Sequence, residues 1–154
     1  MSDVQTVKKP SRRSSAAGRR AGYVIAIIIN AVLLYLINGR PGWESWDVLT
    51  ADFVLVLWLV NLSLSLSFIA NVLYLVYDVP WFKATCELVL AVVSLAVAVR
   101  GYQVFPFDFS SFAYGWTVLV RLILVVAMIG SSIAIIVQLV KLVRAAVGAG
   151  EAAS

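Results

Sequence analysis

The chain has 154 residues, of which 62% are hydrophobic and only 13% are charged, and its formal net charge is +4. Soluble domains contain roughly 45–50% apolar and about 25% charged residues, so this composition excludes an ordinary soluble globular domain. The chain has no histidine and a single cysteine, Cys86, which excludes an internal disulfide and removes the commonest metal ligand and general base. We therefore predict no metal site, no cofactor and no enzymatic activity.

Residues 1–20 form a basic segment that contains one acidic residue, Asp3. Its basic residues are Lys8, Lys9, Arg12, Arg13, Arg19 and Arg20. Such a composition cannot bury a core, so we predict a disordered tail. Positive charges beside an apolar segment favour the cytoplasmic side of a membrane, where anionic lipid headgroups attract each of them by about 1 kcal/mol. Anionic headgroups are therefore the expected partner of the tail. Binding of a protein or of nucleic acid is the weaker alternative, and we predict no nucleic-acid partner.

Four apolar segments follow, at about residues 21–38, 52–77, 81–100 and 116–143. Each is close to the ~17–25 residues with which a helix crosses the bilayer core. Strands of membrane barrels alternate over about 10 residues, whereas these segments are continuously apolar. We predict an all-α integral membrane protein, with four transmembrane helices in an antiparallel bundle over residues 21–144 and a flexible cytoplasmic tail over residues 145–154.

Helix 1 carries one central polar residue, Asn30. A hydrogen bond to a neighbouring helix is its expected role, and a substrate contact is the alternative. Gly39 and Pro41 end the helix, and Trp43 and Trp46 in the following loop are typical of the headgroup layer.

Helix 2 has a polar stripe in its second half. At about 100° per residue, its polar side chains fall within a sector of roughly 80°. The stripe is predicted to meet polar residues of helices 3 and 4 in a polar seam of Ser63, Ser67, Asn71, Tyr74, Asp78, Glu87 and Gln138. Because the first half of helix 2 is apolar, the seam cannot line a continuous pore by itself. We expect it to hold the helices together first and to bind a ligand second.

Helix 3 follows a short turn and begins near Pro80, with Trp81 at the membrane interface. One of its faces is made mainly of small residues, which favours close helix packing: Ala84, Glu87, Ala91, Ser94, Ala98 and Gly101. Glu87 lies within the apolar segment. Pairing with Lys83 is its expected role, and coupling to an ion or proton is the alternative.

The loop between helices 3 and 4 is rich in aromatic residues, including Phe105, Phe107, Phe109 and Trp116. We predict that these rings anchor the loop in the headgroup layer; a partner or ligand surface is the alternative. Arg121, near the start of helix 4, is expected to be neutralised in an outer charge cluster with Asp52 and Asp108. Helix 4 then presents a small and polar face of Ala127, Ser131, Ala134 and Gln138.

The distribution of charge predicts the orientation. Nine of the twelve basic residues belong to the first tail, to the turn between helices 2 and 3, or to the end of helix 4. The positive-inside rule then places both termini in the cytoplasm. We also predict that the protein is integral to the plasma membrane, the cell inner membrane. The predicted function is that of a non-catalytic subunit, scaffold or stabilising partner in a membrane assembly, or of a homo-oligomer. A small transporter or channel with a vestibule around Glu87 is the alternative.

Overall fold

A computed structural model describes residues 16–110 and 115–151, and all the regular structure in these ranges is helical apart from one isolated β-bridge. The four α-helices are α1 (Ala16–Asn38), α2 (Val54–Val76), α3 (Pro80–Val104) and α4 (Trp116–Glu151). Two short 3-10 turns, Trp43–Ser45 and Ala51–Phe53, lie between α1 and α2. All four helices are long enough and apolar enough to cross a membrane, which confirms the prediction of an all-helical protein with four helices of membrane-spanning length.

The first and last helices extend further than predicted. α1 begins at Ala16 rather than at residue 21, and α4 continues to Glu151 rather than ending near residue 143. Both extensions contain several alanines, and the extension of α1 also contains Arg19 and Arg20; alanine and arginine have high intrinsic helix propensity. Residues 1–15 and 152–154, which complete the two predicted tails, lie outside the described residues.

The main helix contacts follow the order of the chain: α1 packs on α2, α2 on α3, and α3 on α4. The described helices therefore form a row, in which α1 and α4 each have one extensive neighbour. α4 is the least covered, because only 6% of its most apolar stretch is buried, compared with 22% for α2.

Two buried clusters lie at opposite ends of the helices, which we call the turn end and the loop end of the row. At the turn end, where a short turn joins α2 to α3, Tyr23, Ala70 and Tyr74 pack together. At the loop end, where the longer connections lie, the cluster contains Ile37, Phe53 and Val56.

A pair of asparagines joins α1 to α2 towards the loop end. The Asn38 side-chain amide donates a hydrogen bond to Asn61 Oδ1 at 2.8 Å, and the Asn61 amide donates to Asn38 Oδ1 at 2.7 Å. The central Asn30 behaves differently from expectation, because its amide donates to the backbone oxygen of Ala26, one turn earlier in its own helix. The predicted interhelical role is thus filled by another asparagine of α1.

The small-residue face of α3 is the buried face of that helix. Ala84, Ala91, Ala98 and Gly101 are its buried residues. A side chain added at Gly101 would reach Leu124 of α4 at 3.7 Å, so α3 and α4 approach closely there.

The two connections at the loop end pair with each other. The Thr50 amide donates to the Pro106 oxygen at 3.1 Å, and the Asp108 amide donates to the Val48 oxygen at 2.9 Å. These bonds flank a bridge between Leu49 and Phe107. We call this arrangement the loop clasp.

Candidate functional site

A groove opens at the turn end of the row, with a volume of about 400 Å³. α1, the α2–α3 turn, α3 and α4 all contribute to it, and its lining residues are Arg19, Asp78, Pro80, Lys83, Ala84, Glu87, Gln138 and Lys141. Three members of the predicted polar seam, Asp78, Glu87 and Gln138, therefore border one groove.

Asp78 lies in the turn and contacts the start of α1. Its carboxylate accepts hydrogen bonds from Arg19 Nε and from the Tyr23 hydroxyl, both at 3.2 Å. Desolvation opposes ionisation of this carboxyl group, but these hydrogen bonds and the charges of Arg19 and Lys83 outweigh it and lower the pKa of Asp78 below its ordinary value of 3.8. Asp78 is therefore a carboxylate at neutral pH.

Lys83 connects Tyr23, a hydrogen-bond partner of Asp78, to Glu87. Its ammonium donates to the Tyr23 hydroxyl at 3.0 Å and lies 3.8 Å from Glu87 Oε1. It also lies 5.1 Å from the ring centre of Tyr23 and 5.6 Å from that of Tyr74, which is within cation–π range. The predicted pairing of Lys83 with Glu87 thus exists as one link in a longer network.

Glu87 joins α3 to α4. Gln138 Nε2 donates to Glu87 Oε2 at 2.5 Å, and the Lys141 ammonium lies 3.9 Å from the same oxygen. Gln138 is only 7% exposed. Its other polar atom, Oε1, is buried and has no hydrogen-bond partner in the part of the chain that the structure describes.

The remaining residues of the predicted seam do not line the groove. The Asn71 amide donates to the backbone oxygen of Ser67 at 2.7 Å, within α2. Tyr74 is buried, and its hydroxyl lies 3.5 Å from the backbone oxygen of Lys83. Ser63 is half-buried, lies earlier in α2 than Ser67 and does not line the groove. The stripe therefore contributes to the groove mainly through its last residue, Asp78.

The predicted polar seam did not include Arg19, Tyr23 or Lys141, although the sequence places Lys141 at the same depth as Glu87 and Gln138. Arg19 belongs to the predicted disordered tail, but in the structure it lies in α1, one helical turn before Tyr23 and on the same side. Lys141 follows Gln138 by one turn, a spacing that predicts a shared face and was available as a signal.

The outer charge cluster does not form as expected. The Arg121 guanidinium lies over the rings of Phe105 and Tyr102, at 4.7 and 5.8 Å from their centres. Among the described residues, no ion pair joins it to Asp52 or Asp108. The flat guanidinium stacks on the aromatic residues at the end of α3 instead.

Asp108 is occupied by its own loop. Its carboxylate accepts a hydrogen bond from the Ser110 amide at 2.9 Å. Hydrogen bonds from the backbone and side chain of Ser110 outweigh desolvation and lower the pKa of Asp108.

The predicted interfacial aromatics lie at both ends of the helices. At the loop end, successive ring centres of Phe105, Phe107, Phe109 and Trp116 are 5.6, 6.1 and 6.5 Å apart. Trp43 packs on Phe53 at 5.5 Å, and Trp46 is exposed. At the turn end, Trp81 is exposed and packs edge-on against Tyr77 and Phe82. Their position in the headgroup layer stays a prediction.

The groove is a mixed-charge site that is open to small polar ligands. It offers three basic groups, two carboxylates and one buried amide, supplied by three helices and a turn. Within residues 16–110 and 115–151, no three His, Cys, Asp or Glu side chains are grouped so as to hold a metal ion. In comparisons with known proteins, no protein-family model, curated protein or solved structure matches this chain.

Proposed function

We propose that this chain is a non-catalytic multi-pass membrane protein that acts by helix packing, as a subunit, scaffold or stabilising partner of a membrane assembly or as a homo-oligomer. Its partner surface is the uncovered side of α4. α4 packs extensively on α3 alone and is the least buried of the four helices.

The uncovered glycine at position 130 carries this proposal. A side-chain carbon added at Gly130 would find nothing within 4 Å, although the glycine lies in the middle of an apolar helix. Ala127 and Ala134 lie on the same side of α4 by helical spacing, and Ala127 is exposed. Small residues at such spacing let the backbone of another helix approach closely in a bilayer, where apolar side chains alone provide no hydrophobic driving force.

We also propose an antiparallel arrangement with both termini in the cytoplasm and with the protein in the plasma membrane. Supporting contacts join opposite halves of successive helices: Tyr23 near the start of α1 meets Tyr74 near the end of α2, and Glu87 near the start of α3 meets Gln138 in the second half of α4. Arg19, Lys83 and Lys141 border one groove, as expected if these basic residues share the cytoplasmic side.

Substitution of Gly130 tests the packing proposal. The full-length Gly130→Leu protein is compared with the wild type by light scattering in mild detergent and by crosslinking in native membranes. Gly148→Leu is the matched control, because Gly148 is also in α4 and also has nothing within 4 Å of an added side-chain carbon. We expect Gly130→Leu to dissociate a complex that Gly148→Leu leaves intact. A wild-type protein that is strictly monomeric and co-purifies with nothing would overturn the proposal.

A small transporter or channel with a vestibule around Glu87 is the second candidate. It is favoured by the groove of about 400 Å³, which brings Glu87 together with Asp78 and Gln138. In liposomes this function predicts a proton-linked or cation flux that Glu87→Gln abolishes. An unchanged flux in that variant would remove Glu87 from the mechanism.

A further inference from the structure

We propose that the groove at the turn end binds a phosphate ester that carries a neutral hydroxyl beside the phosphate, as in the headgroup of phosphatidylglycerol. This inference does not depend on whether the chain assembles with a partner. Four features of the groove carry it: an excess of positive charge, an ammonium with donors to spare, a helix amino terminus and a buried acceptor.

The charge of the groove favours an anion. Arg19, Lys83 and Lys141 line it against two carboxylates, Asp78 and Glu87, which leaves one positive charge in excess. Their side chains are accessible, with exposed fractions of 45% for Arg19, 31% for Lys83 and 55% for Lys141. A singly charged phosphodiester would balance the excess.

Lys141 has the donors that a phosphate needs. Its ammonium lies 3.9 Å from Glu87, which is too far for a hydrogen bond. A lysine ammonium has three N–H donors, so Lys141 retains them for phosphate oxygens on the open side of the groove.

α3 begins at the groove and strengthens the preference for an anion. Pro80, the first residue of α3, and Ala84 both line the groove. The start of a helix is the positive end of the helix dipole, which favours an anion. α3 is 25 residues long, so this dipole is fully developed.

The buried amide of Gln138 indicates what must accompany the phosphate. Gln138 lines the groove and is 7% exposed, and its Oε1 accepts no hydrogen bond from any described residue. An unpaired buried acceptor favours a ligand with a hydrogen-bond donor. A hydroxyl suits this place better than an ammonium, because Lys83 and Lys141 already lie 3.8 and 3.9 Å from Glu87 and would repel a further cation beside that carboxylate.

Two anionic lipids that differ by the hydroxyl provide the decisive probe. Purified full-length protein is titrated in micelles with phosphatidylglycerol and with phosphatidylmethanol, which has the same phosphodiester charge and no headgroup hydroxyl, and bound lipid is counted by native mass spectrometry. One additional hydrogen bond predicts a preference of about twofold to tenfold for phosphatidylglycerol. Equal binding of the two lipids to the wild type would overturn the proposal, and this comparison needs no variant.

Variants assign the preference to the groove. We expect Gln138→Leu to abolish the preference between the two lipids, while Gln103→Leu, on an exposed position of α3, preserves it. We expect Lys141→Gln to weaken both lipids, while Arg144→Gln, an exposed residue of α4 outside the groove, weakens neither. Equal losses in Lys141→Gln and Arg144→Gln would show diffuse charge attraction and would overturn the site.

A soluble ester distinguishes the two sources of such a ligand. Glycerol 3-phosphate has the phosphate and hydroxyls without the acyl chains. If it displaces phosphatidylglycerol from the wild type and not from Gln138→Leu, the groove binds a free phosphate ester. If it fails to displace the lipid while the preference between lipids holds, the ligand is the membrane lipid.

Discussion

Substitution of Ala91 by leucine is expected to destabilise the contact between α3 and α4. Ala91 is 8% exposed and lies midway between Ala84 and Ala98, which are 5% and 4% exposed and one heptad away on either side. These three alanines are buried residues on one face of α3, so a larger side chain at Ala91 enters a helix contact made by small residues.

The magnitude follows from overpacking without a compensating hydrophobic gain. Extra methylenes in a well-packed interior cost about 1–3 kcal/mol. Lipid tails are as apolar as leucine, so the added side chain gains no favourable transfer on folding within the bilayer. The folded fraction relative to the dissociated helices should therefore fall by about fivefold to 150-fold, since about 1.4 kcal/mol corresponds to tenfold.

Reversible unfolding in mixed micelles, followed by circular dichroism as denaturing detergent is added, measures this change. Ala96→Leu is the matched control, because Ala96 lies on the exposed side of the same helix. We expect that control to stay within about 0.5 kcal/mol of the wild type. If both variants shift equally, the buried face of α3 does not determine the stability of the helix row and the reasoning fails.

Three further predictions concern other contacts. Asn61→Leu should cost about 1 kcal/mol, and most of this cost should vanish in a background that already carries Asn38→Leu, because the two amides bind each other. The contact of Asp78 with α1 should be fully present above pH 3.8 and lost as the pH falls through the lowered pKa of this carboxyl group, which crosslinking between cysteines placed in α1 and in the turn would detect. Phe105→Leu should destabilise the start of α4 by about 0.5–1 kcal/mol, because the guanidinium of Arg121 loses its cation–π contact with the Phe105 ring; hydrogen exchange in α4 would report the loss.

Each of these predictions has a specific contrary outcome. Additive effects of the two asparagine substitutions would show that the amides do not interact. Asp78→Asn should remove the pH dependence, so a dependence that persists in this variant would assign it to another group. Asp108→Asn should leave the hydrogen exchange of α4 unchanged. If protection of α4 falls in Asp108→Asn but not in Phe105→Leu, the expected ion pair between Arg121 and Asp108 exists and the cation–π contact does not hold the helix.

The helices were predictable because continuous apolar segments have a single favourable structure in a bilayer, where each backbone group needs an internal partner. The buried face of α3 was predictable for a related reason, since small residues at helical spacing are the usual contact surface between membrane helices. The helix ends were less predictable. Arginine and alanine continue a helix beyond the apolar segment, and a basic composition alone does not distinguish such an extension from a disordered tail.

The groove was only partly predictable, because it depends on how neighbouring helices are placed. The predicted topology placed Glu87 and Gln138 at similar depths, which is necessary for the hydrogen bond that joins them. The choice between Asn30 and Asn38 for the interhelical bond depends on the rotation of α1, which composition does not determine. Arg121 illustrates the same point, since aromatic rings at the end of α3 compete for it with distant carboxylates.

The loop clasp also has a consequence for motion. Its backbone bonds tie the α1–α2 connection to the α3–α4 connection at one end of the row, and the short turn ties α2 to α3 at the other. α2 and α3 are thus connected at both of their ends. One helix cannot slide along the other by a single residue without breaking the backbone hydrogen bonds around buried Pro106. Rocking of the α1–α2 pair against the α3–α4 pair would have to begin by breaking the loop clasp. Contacts on the outer side of α4 can change while the loop clasp stays intact.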